Sequence, residues 1–191
     1  MITQEEYNQK AKSYKMMLWF GMISIVMMFA GFTSAYVISK SRPDWLDDFQ
    51  MPSAFLFSTI VIILSSVTFH FAVKNVKNNK TSQAAVMLWF TLLLALVFIV
   101  LQFVGFGQVI ASGLYFTGAE STITTSFLYI VIIVHLAHLF GGIISLLIVI
   151  YNNYKQRYNA LQHVGIELSA TFWHFLGLLW LYLFLFFSFY K

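Results

Sequence analysis

The stretch that decides the fold is residues 121–154, STITTSFLYIVIIVHLAHLFGGIISLLIVIYNNY, which contains no Asp, Glu, Lys or Arg. A membrane helix needs about 20 mainly apolar residues to cross a hydrocarbon core of about 30 Å. A charged side chain inside that core costs about 2.5 to 3.5 kcal/mol on insertion scales. A charge-free run of this length therefore predicts a transmembrane helix.

Four further runs lack those charged residues and are also long enough to cross the core. They lie at residues 16–39, 49–73, 81–119 and 168–190. The second half of the third run is rich in Gly and polar residues, so it is predicted to be an interfacial connection rather than part of a helix. We therefore expect one membrane domain over residues 1–191, an all-α bundle of five spans at about 16–39, 53–73, 84–106, 124–151 and 167–190.

Composition excludes several classes of protein. The chain has 191 residues, of which 60% are hydrophobic and only 9% are charged, whereas a soluble domain carries about a quarter charged residues. Soluble enzymes are excluded. The absence of cysteine excludes disulfides, thiolate catalysis, Cys-ligated zinc and iron–sulfur clusters. The net charge of +4 comes from cations between apolar runs, so no nucleic-acid partner is expected.

The distribution of Lys and Arg predicts the orientation, because cytoplasmic connections are enriched in these residues. With the N-terminus in the cytoplasm, the outer connections hold only Lys40, Arg42 and Lys191. The inner connections then hold the remaining cations, namely Lys10, Lys12, Lys15, Lys74, Lys77, Lys80, Lys155 and Arg157. A cytoplasmic N-terminus and a periplasmic C-terminus are therefore expected.

The fourth predicted helix carries two histidines on one face. At 100° per residue, His135, His138, Gly141, Gly142 and Ser145 fall within an arc of about 120°. Small residues allow a second backbone to approach closely. This face is therefore predicted to contact another helix.

The fifth helix shows a matching face, on which Glu167 and His174 lie together with His163, Ala170 and Gly177. We expect the two faces to pack together, so that each polar group finds a hydrogen-bond partner away from lipid. Contact with a lipid headgroup or a partner subunit is the second interpretation of these histidines. Trp173 and Trp180 are expected to pack between helices.

Metal or haem ligation is the third interpretation, because His-x-x-His on a helix can begin a metal site. His135 and His138 share a face and cannot clamp one haem iron from opposite sides, so a second helix must supply a ligand. His70 is predicted to lie near the depth of His174. A small transporter ranks last, since four of the helices carry little that would break them.

Three motifs of the last helix now make a family resemblance specific. Residues 163–167, HVGIE, are followed by FWHF at 172–175 and WLYLF at 180–184. This order strongly resembles the last helix of subunit III of haem–copper oxidases. The resemblance implies that this chain is an oxidase subunit.

Motifs elsewhere extend the resemblance over nearly the whole chain. Residues 113–118, GLYFTG, precede FLY at 127–129 and HLAHLFG at 135–141, which is similar to the penultimate helix of the family. The FAG of residues 29–31 and the RPDW of residues 42–45 resemble its third helix. The expected form is the short, five-helix version that lacks the first two helices.

The resemblance implies a non-catalytic subunit of a cytochrome c or quinol oxidase in a bacterial plasma membrane. Family members pack against catalytic subunit I in a complex with subunit II, bind phospholipid in a cleft, and support proton uptake and stability. Such an oxidase can join a respiratory supercomplex. Haem and copper are expected in the partner subunits, and no catalytic, cofactor or metal residue is expected in this chain. The residues expected to make structural, lipid or subunit contacts are His135, His138, His163, Glu167, Trp173 and His174.

The alternative is a bis-His haem-binding membrane anchor of a quinone-linked oxidoreductase, which would use His70, His138 or His174. The chain also departs from the family pattern. Ile25 stands where the family usually has Glu, and Gly177 stands where it has Asp. These departures count against a proton-relay role for this chain and leave a packing role unaffected.

Overall fold

The computed structural model of the chain contains five long helices that run the length of the molecule. It describes residues 4–42, 45–46, 51–118, 121–159 and 162–190. The helices are α1 (Gln4–Ile38), α2 (Ser53–Lys77), α3 (Thr81–Ala111), α4 (Ile123–Tyr154) and α5 (Val164–Phe189). Each is long and apolar enough to span a membrane, which confirms the predicted all-helical, five-span fold. Pro43, Asp44 and Lys191, used above, lie outside the described residues.

Local chemistry explains where the helices begin and end. At the start of α4, the Thr122 hydroxyl accepts from the Thr125 N–H and the Thr125 hydroxyl accepts from the Thr122 N–H, both at 3.3 Å, which is a capping box. Between α2 and α3, Asn79 adopts a positive φ of 58°, a conformation that Asn tolerates better than most residues. The capping box thus marks the start of α4, and the positive φ of Asn79 marks the end of α2.

The third helix continues beyond the expected span end at residue 106, through Gly107 and Gln108 to Ala111. Gly105 and Gln108 in this part of the helix contact α2, whereas an added Cβ on Gly107 would meet nothing within 4 Å. A Cβ on Gly105 would lie 2.5 Å from Phe55 Cε1, and Gln108 Oε1 accepts from the Ala54 N–H at 3.3 Å. The connection predicted after residue 106 therefore begins later, at Ser112, and the composition reflects close helix packing only at Gly105 and Gln108.

The helices α2, α3, α4 and α5 form a four-helix bundle, in which each contacts the next and α5 closes back onto α2. The first helix packs against α4 and α5 and is the least buried of the five. The spans alternate in direction, so Lys15, Lys77 and Glu167 come together at one end, which we call the basic end. At the opposite, aromatic end, the Tyr36 ring packs against Trp45 and Phe187.

Candidate functional site

Glu167, in the first turn of α5, joins three helices at the basic end. Its Oε1 lies 2.6 Å from Lys77 Nζ on α2 and 3.2 Å from His163 Nε2, and its Oε2 lies 3.0 Å from Lys15 Nζ on α1. A carboxylate at a helix N-terminus is also favoured by the helix dipole. From the sequence, Glu167 was expected to pair with a nearby imidazole or to bind a water or a lipid headgroup, and His163 supplies the imidazole. The two lysines were not predicted, because they are distant along the chain.

His135 lies in the centre of the bundle and is fully buried. Its ring centroid is 5.3 Å from that of Trp180 and 6.4 Å from those of Phe29 and Phe98. Within the described part of the chain, neither ring nitrogen has a hydrogen-bond partner. The expectation that every polar group of α4 and α5 finds a partner is wrong for His135, because its neighbours are aromatic rings.

His138 makes a local hydrogen bond instead. Its Nδ1 lies 2.8 Å from the carbonyl oxygen of Val134, one turn earlier on α4. A carbonyl only accepts, so Nδ1 must carry a proton in this hydrogen bond. The ring also packs against Phe29 of α1, at 5.9 Å between centroids. Both histidines therefore contact Phe29 of α1, but only His135 is also enclosed by Phe98 and Trp180 in the core.

The predicted contact between α4 and α5 forms around small residues. The Ser145 hydroxyl donates to the Ser169 hydroxyl at 2.8 Å. A Cβ on Gly142 would lie 2.8 Å from Leu176 Cδ1 and 3.3 Å from Trp173 Cε3, so any larger residue here would require these side chains to shift. Gly141, by contrast, has open space around it, which places it at the edge of the predicted face.

The two tryptophans of α5 are fully buried and bond to α2. The indole N–H of Trp173 donates to Ser65 Oγ at 3.1 Å, and that of Trp180 donates to Thr59 Oγ1 at 3.0 Å. Burial between helices was predicted, but the hydroxyl partners were missed. The signal that could have found them is the series of Ser and Thr residues on α2, since a buried indole N–H usually has an acceptor.

A groove of about 380 Å³ opens between α1, α2 and α5 at the basic end. We call it the lysine groove, and its polar and aromatic lining is Lys15, Trp19, His70, Lys77, Glu167, Thr171 and His174. The rings of His70 and His174 lie 6.5 Å apart, which agrees with their predicted similar depth. Among the described residues, no group of three or more His, Cys, Asp or Glu side chains could hold a metal ion.

A second groove, of about 450 Å³, lies between the start of α1 and the connection from α4 to α5. Lys10 and Arg157 are its basic lining residues. The hydroxyl of Tyr7 accepts from the Val164 N–H at 3.2 Å, which ties α1 to the start of α5. Burial raises the pKa of Tyr158, which also lines this groove.

Comparisons with known proteins agree with the motifs. The family model described as cytochrome c oxidase subunit III matches residues 4–191. Cytochrome c oxidase subunit 3 of Cyprinus carpio is 29% identical over 92% of this chain and 68% of the relative. The protein of the same name from Thermostichus vulcanus is 26% identical over 85% of this chain and 80% of the relative. The match covers all five helices and nearly the whole length of the chain. The chain therefore belongs to the cytochrome c oxidase subunit III family.

Proposed function

We propose that this chain is the non-catalytic subunit III of a haem–copper terminal oxidase, most simply a cytochrome c oxidase of aerobic respiration. It packs against catalytic subunit I in a complex with subunit II, binds phospholipid, and supports the stability and proton uptake of the catalytic subunit. Haem and copper are held by the partner subunits. The N-terminus lies in the cytoplasm and the C-terminus in the periplasm of a bacterial plasma membrane.

The observation that carries this proposal is how the polar side chains within the helices are used. The indoles of Trp173 and Trp180 bond to α2, Ser145 bonds to Ser169, and Glu167 is bonded to two lysines and His163. These groups join helix to helix, which suits a scaffold subunit. A redox enzyme instead directs such groups at a cofactor or substrate.

Partner and lipid contacts are supported by what the bundle leaves uncovered. Met17, Phe20 and Met27 of α1 are 66%, 72% and 66% exposed. A membrane protein covers such apolar surface with lipid or with another membrane subunit. Phospholipid binding is supported by the two grooves near the start of α5, both of which are lined by basic side chains.

The test is purification of the tagged, full-length chain from its own membranes in mild detergent. We expect a larger haem-bearing membrane protein with a haem–copper spectrum to co-purify. We also expect the oxidase without this chain to lose activity faster during turnover. Purification without any haem–copper partner would contradict the proposal.

One observation favours a second candidate, the bis-His haem anchor of a quinone-linked enzyme, because His70 and His174 lie close together on different helices. The same purification separates the two functions. A Soret band in the isolated chain that disappears in His174→Leu would support the haem anchor. An unchanged spectrum of the complex in that variant supports the subunit III role.

A further inference from the structure

The second groove, between the start of α1 and the connection from α4 to α5, lies outside the apolar runs. We call it the tyrosine groove. Tyr7 and Lys10, on its α1 side, precede the first charge-free run, which begins at residue 16. Arg157 and Tyr158, on its other side, lie between the fourth and fifth runs. A ligand therefore enters this groove from water rather than from the acyl chains of the bilayer.

Two phenol groups of this groove have donors to spare. The Tyr7 oxygen accepts from the Val164 N–H at 3.2 Å, and the Tyr158 oxygen accepts from Asn152 Nδ2 at 3.5 Å. Burial raises the pKa of Tyr158, and the Tyr7 phenol acts in the same direction, so the two hydroxyls lie near each other. Within the described part of the chain, neither hydroxyl donates to another residue. Both O–H groups are therefore available to an acceptor in the groove.

Two cations add donors at the same place. The Arg157 Nη1 donates to Asn152 Oδ1 at 3.3 Å, which leaves other N–H groups of the guanidinium unused. Lys10 makes no ion pair or hydrogen bond with any residue that the structure describes. The described lining of the groove contains no Asp or Glu. A groove with two positive charges, spare donors and no carboxylate suits an anion with several acceptor oxygens.

The size and the walls of the tyrosine groove indicate more than a bare inorganic anion. Its volume of about 450 Å³ lies within the range of about 300 to 1,000 Å³ found for small-molecule sites. The ring of Tyr14 lines it together with those of Tyr7 and Tyr158, and a planar heterocycle stacks well on such rings. Gln162 supplies an amide to the same lining, and amides pair with the polar edges of nucleobases.

We propose that the tyrosine groove binds a nucleoside phosphate. Its phosphate oxygens accept from Arg157, Lys10 and the phenol hydroxyls, and its base stacks on Tyr14 beside Gln162. A phospholipid headgroup would use the two cations but not the ring-lined wall, so it matches this groove less well. The inference goes beyond the proposed subunit role and uses only its orientation, because nucleotides are supplied from the cytoplasm.

A bound nucleotide would have a mechanical effect, because the groove joins two parts of the chain. One wall belongs to α1, which contacts α4 and α5 less extensively than the other helices contact each other. The other wall belongs to the α4–α5 connection and the first turn of α5. A ligand that bonds to Lys10 and Arg157 at once would hold α1 more firmly against the bundle.

The test is equilibrium dialysis of radiolabelled ADP against the detergent-solubilised complex that contains the full-length chain. We expect saturable binding to the wild type, which Arg157→Gln should weaken about tenfold, the equivalent of one charge-assisted hydrogen bond. Lys155→Gln is the matched control. It removes the same charge two residues earlier, but Lys155 lies over the Tyr151 ring and is not among the groove-lining residues. Its affinity for ADP should equal that of the wild type.

A second variant separates the ring from the charges. Tyr14 is 54% exposed, so Tyr14→Ala should leave the fold intact. It should weaken the binding of ADP severalfold and leave the binding of pyrophosphate unchanged, whereas Arg157→Gln should weaken both.

Three results would overturn the proposal. Equal binding of ADP by the wild type and Arg157→Gln would place the nucleotide elsewhere in the complex. Equal affinity of the wild type for ADP and pyrophosphate would show that the groove does not recognise the nucleoside. Retention of phosphatidylglycerol that depends on Arg157, without binding of ADP, would identify a lipid site instead.

The outcomes also separate this inference from the proposed function. If a haem–copper partner co-purifies but ADP does not bind, only the assignment of the tyrosine groove fails. If ADP binds and the variants behave as expected but no oxidase partner is found, the groove assignment stands and the subunit role fails.

Discussion

Gly105 on α3 offers a direct test of how tightly α2 and α3 pack. A Cβ at this position would lie 2.5 Å from Cε1 and 2.7 Å from Cζ of Phe55, well inside van der Waals contact. The Phe55 ring is fully buried and packs against Phe106 and Trp180, with centroids 6.2 and 6.0 Å away. The ring has little room to move, so Gly105→Ala should destabilise the bundle.

The matched control is Gly107→Ala on the same helix, where an added Cβ meets nothing within 4 Å. Both changes gain the same intrinsic helix preference of Ala over Gly, about 1 kcal/mol, which cancels in the comparison. The difference between the two variants therefore isolates the clash with Phe55. Overpacking of this kind costs about 1 to 3 kcal/mol, and we expect Gly105→Ala to be less stable than Gly107→Ala by that amount.

The assay is reversible unfolding of the purified chain in mixed detergent micelles with increasing dodecyl sulfate, followed by circular dichroism. Phe55→Leu in the Gly105→Ala background should restore part of the lost free energy, because it removes the ring atoms that the new Cβ meets. Equal stabilities for the two Gly→Ala variants would refute the close approach of α2 and α3 at Gly105.

Four further changes test the site. Glu167→Gln should lower the free energy of unfolding by about 1 kcal/mol, since the ion pairs are partly exposed, and should reduce the salt dependence of stability; an unaltered salt response would contradict the ion cluster. His135→Phe should raise stability by about 1 to 3 kcal/mol by removing an unsatisfied buried polar group, with the visible spectrum of the complex unchanged. Trp173→Phe should cost about 1 to 3 kcal/mol, and a double-mutant cycle with Ser65→Ala should give a coupling energy; additive effects would argue against the indole bond. Burial raises the pKa of Tyr158 in the folded chain above its ordinary value of 10.0, so the unfolded chain loses the phenol proton first. The stability of the wild type should therefore fall as the pH rises above 10.0. In a pH series, Tyr158→Phe should show a weaker dependence.

The number and type of the helices could be predicted because charge-free apolar runs have few other solutions in a membrane. The α4–α5 contact could be predicted from helical periodicity, and Gly142 and Ser145 lie in it. Periodicity within one helix cannot tell which neighbour each face meets. It therefore placed His135 and His138 on one polar face, although the His135 ring is surrounded by aromatic rings of α1, α3 and α5 and, among the described residues, the His138 ring meets only that of α1.

The parts of the site that were missed depend on contacts between distant residues. Lys15, Lys77 and Glu167 lie in three different helices, and no local pattern links their positions. The bond from Trp180 to Thr59 likewise spans most of the chain. The Gly-rich second half of the third run was interpreted as a poor composition for a lipid-facing helix, whereas the missing side chain of Gly105 makes room for Phe55.

The peripheral position of α1 has a consequence for the order in which the protein is assembled. Its partners, α4 and α5, are synthesised last, so α1 must wait in the bilayer until they emerge from the ribosome. Thr33 suits this delay, because its hydroxyl bonds to the carbonyls of Phe29 and Ala30 in its own helix and later accepts from the Tyr182 hydroxyl at 3.2 Å. The contacts among α2, α3, α4 and α5 do not involve α1, so we expect these four helices to associate first and α1 to dock last.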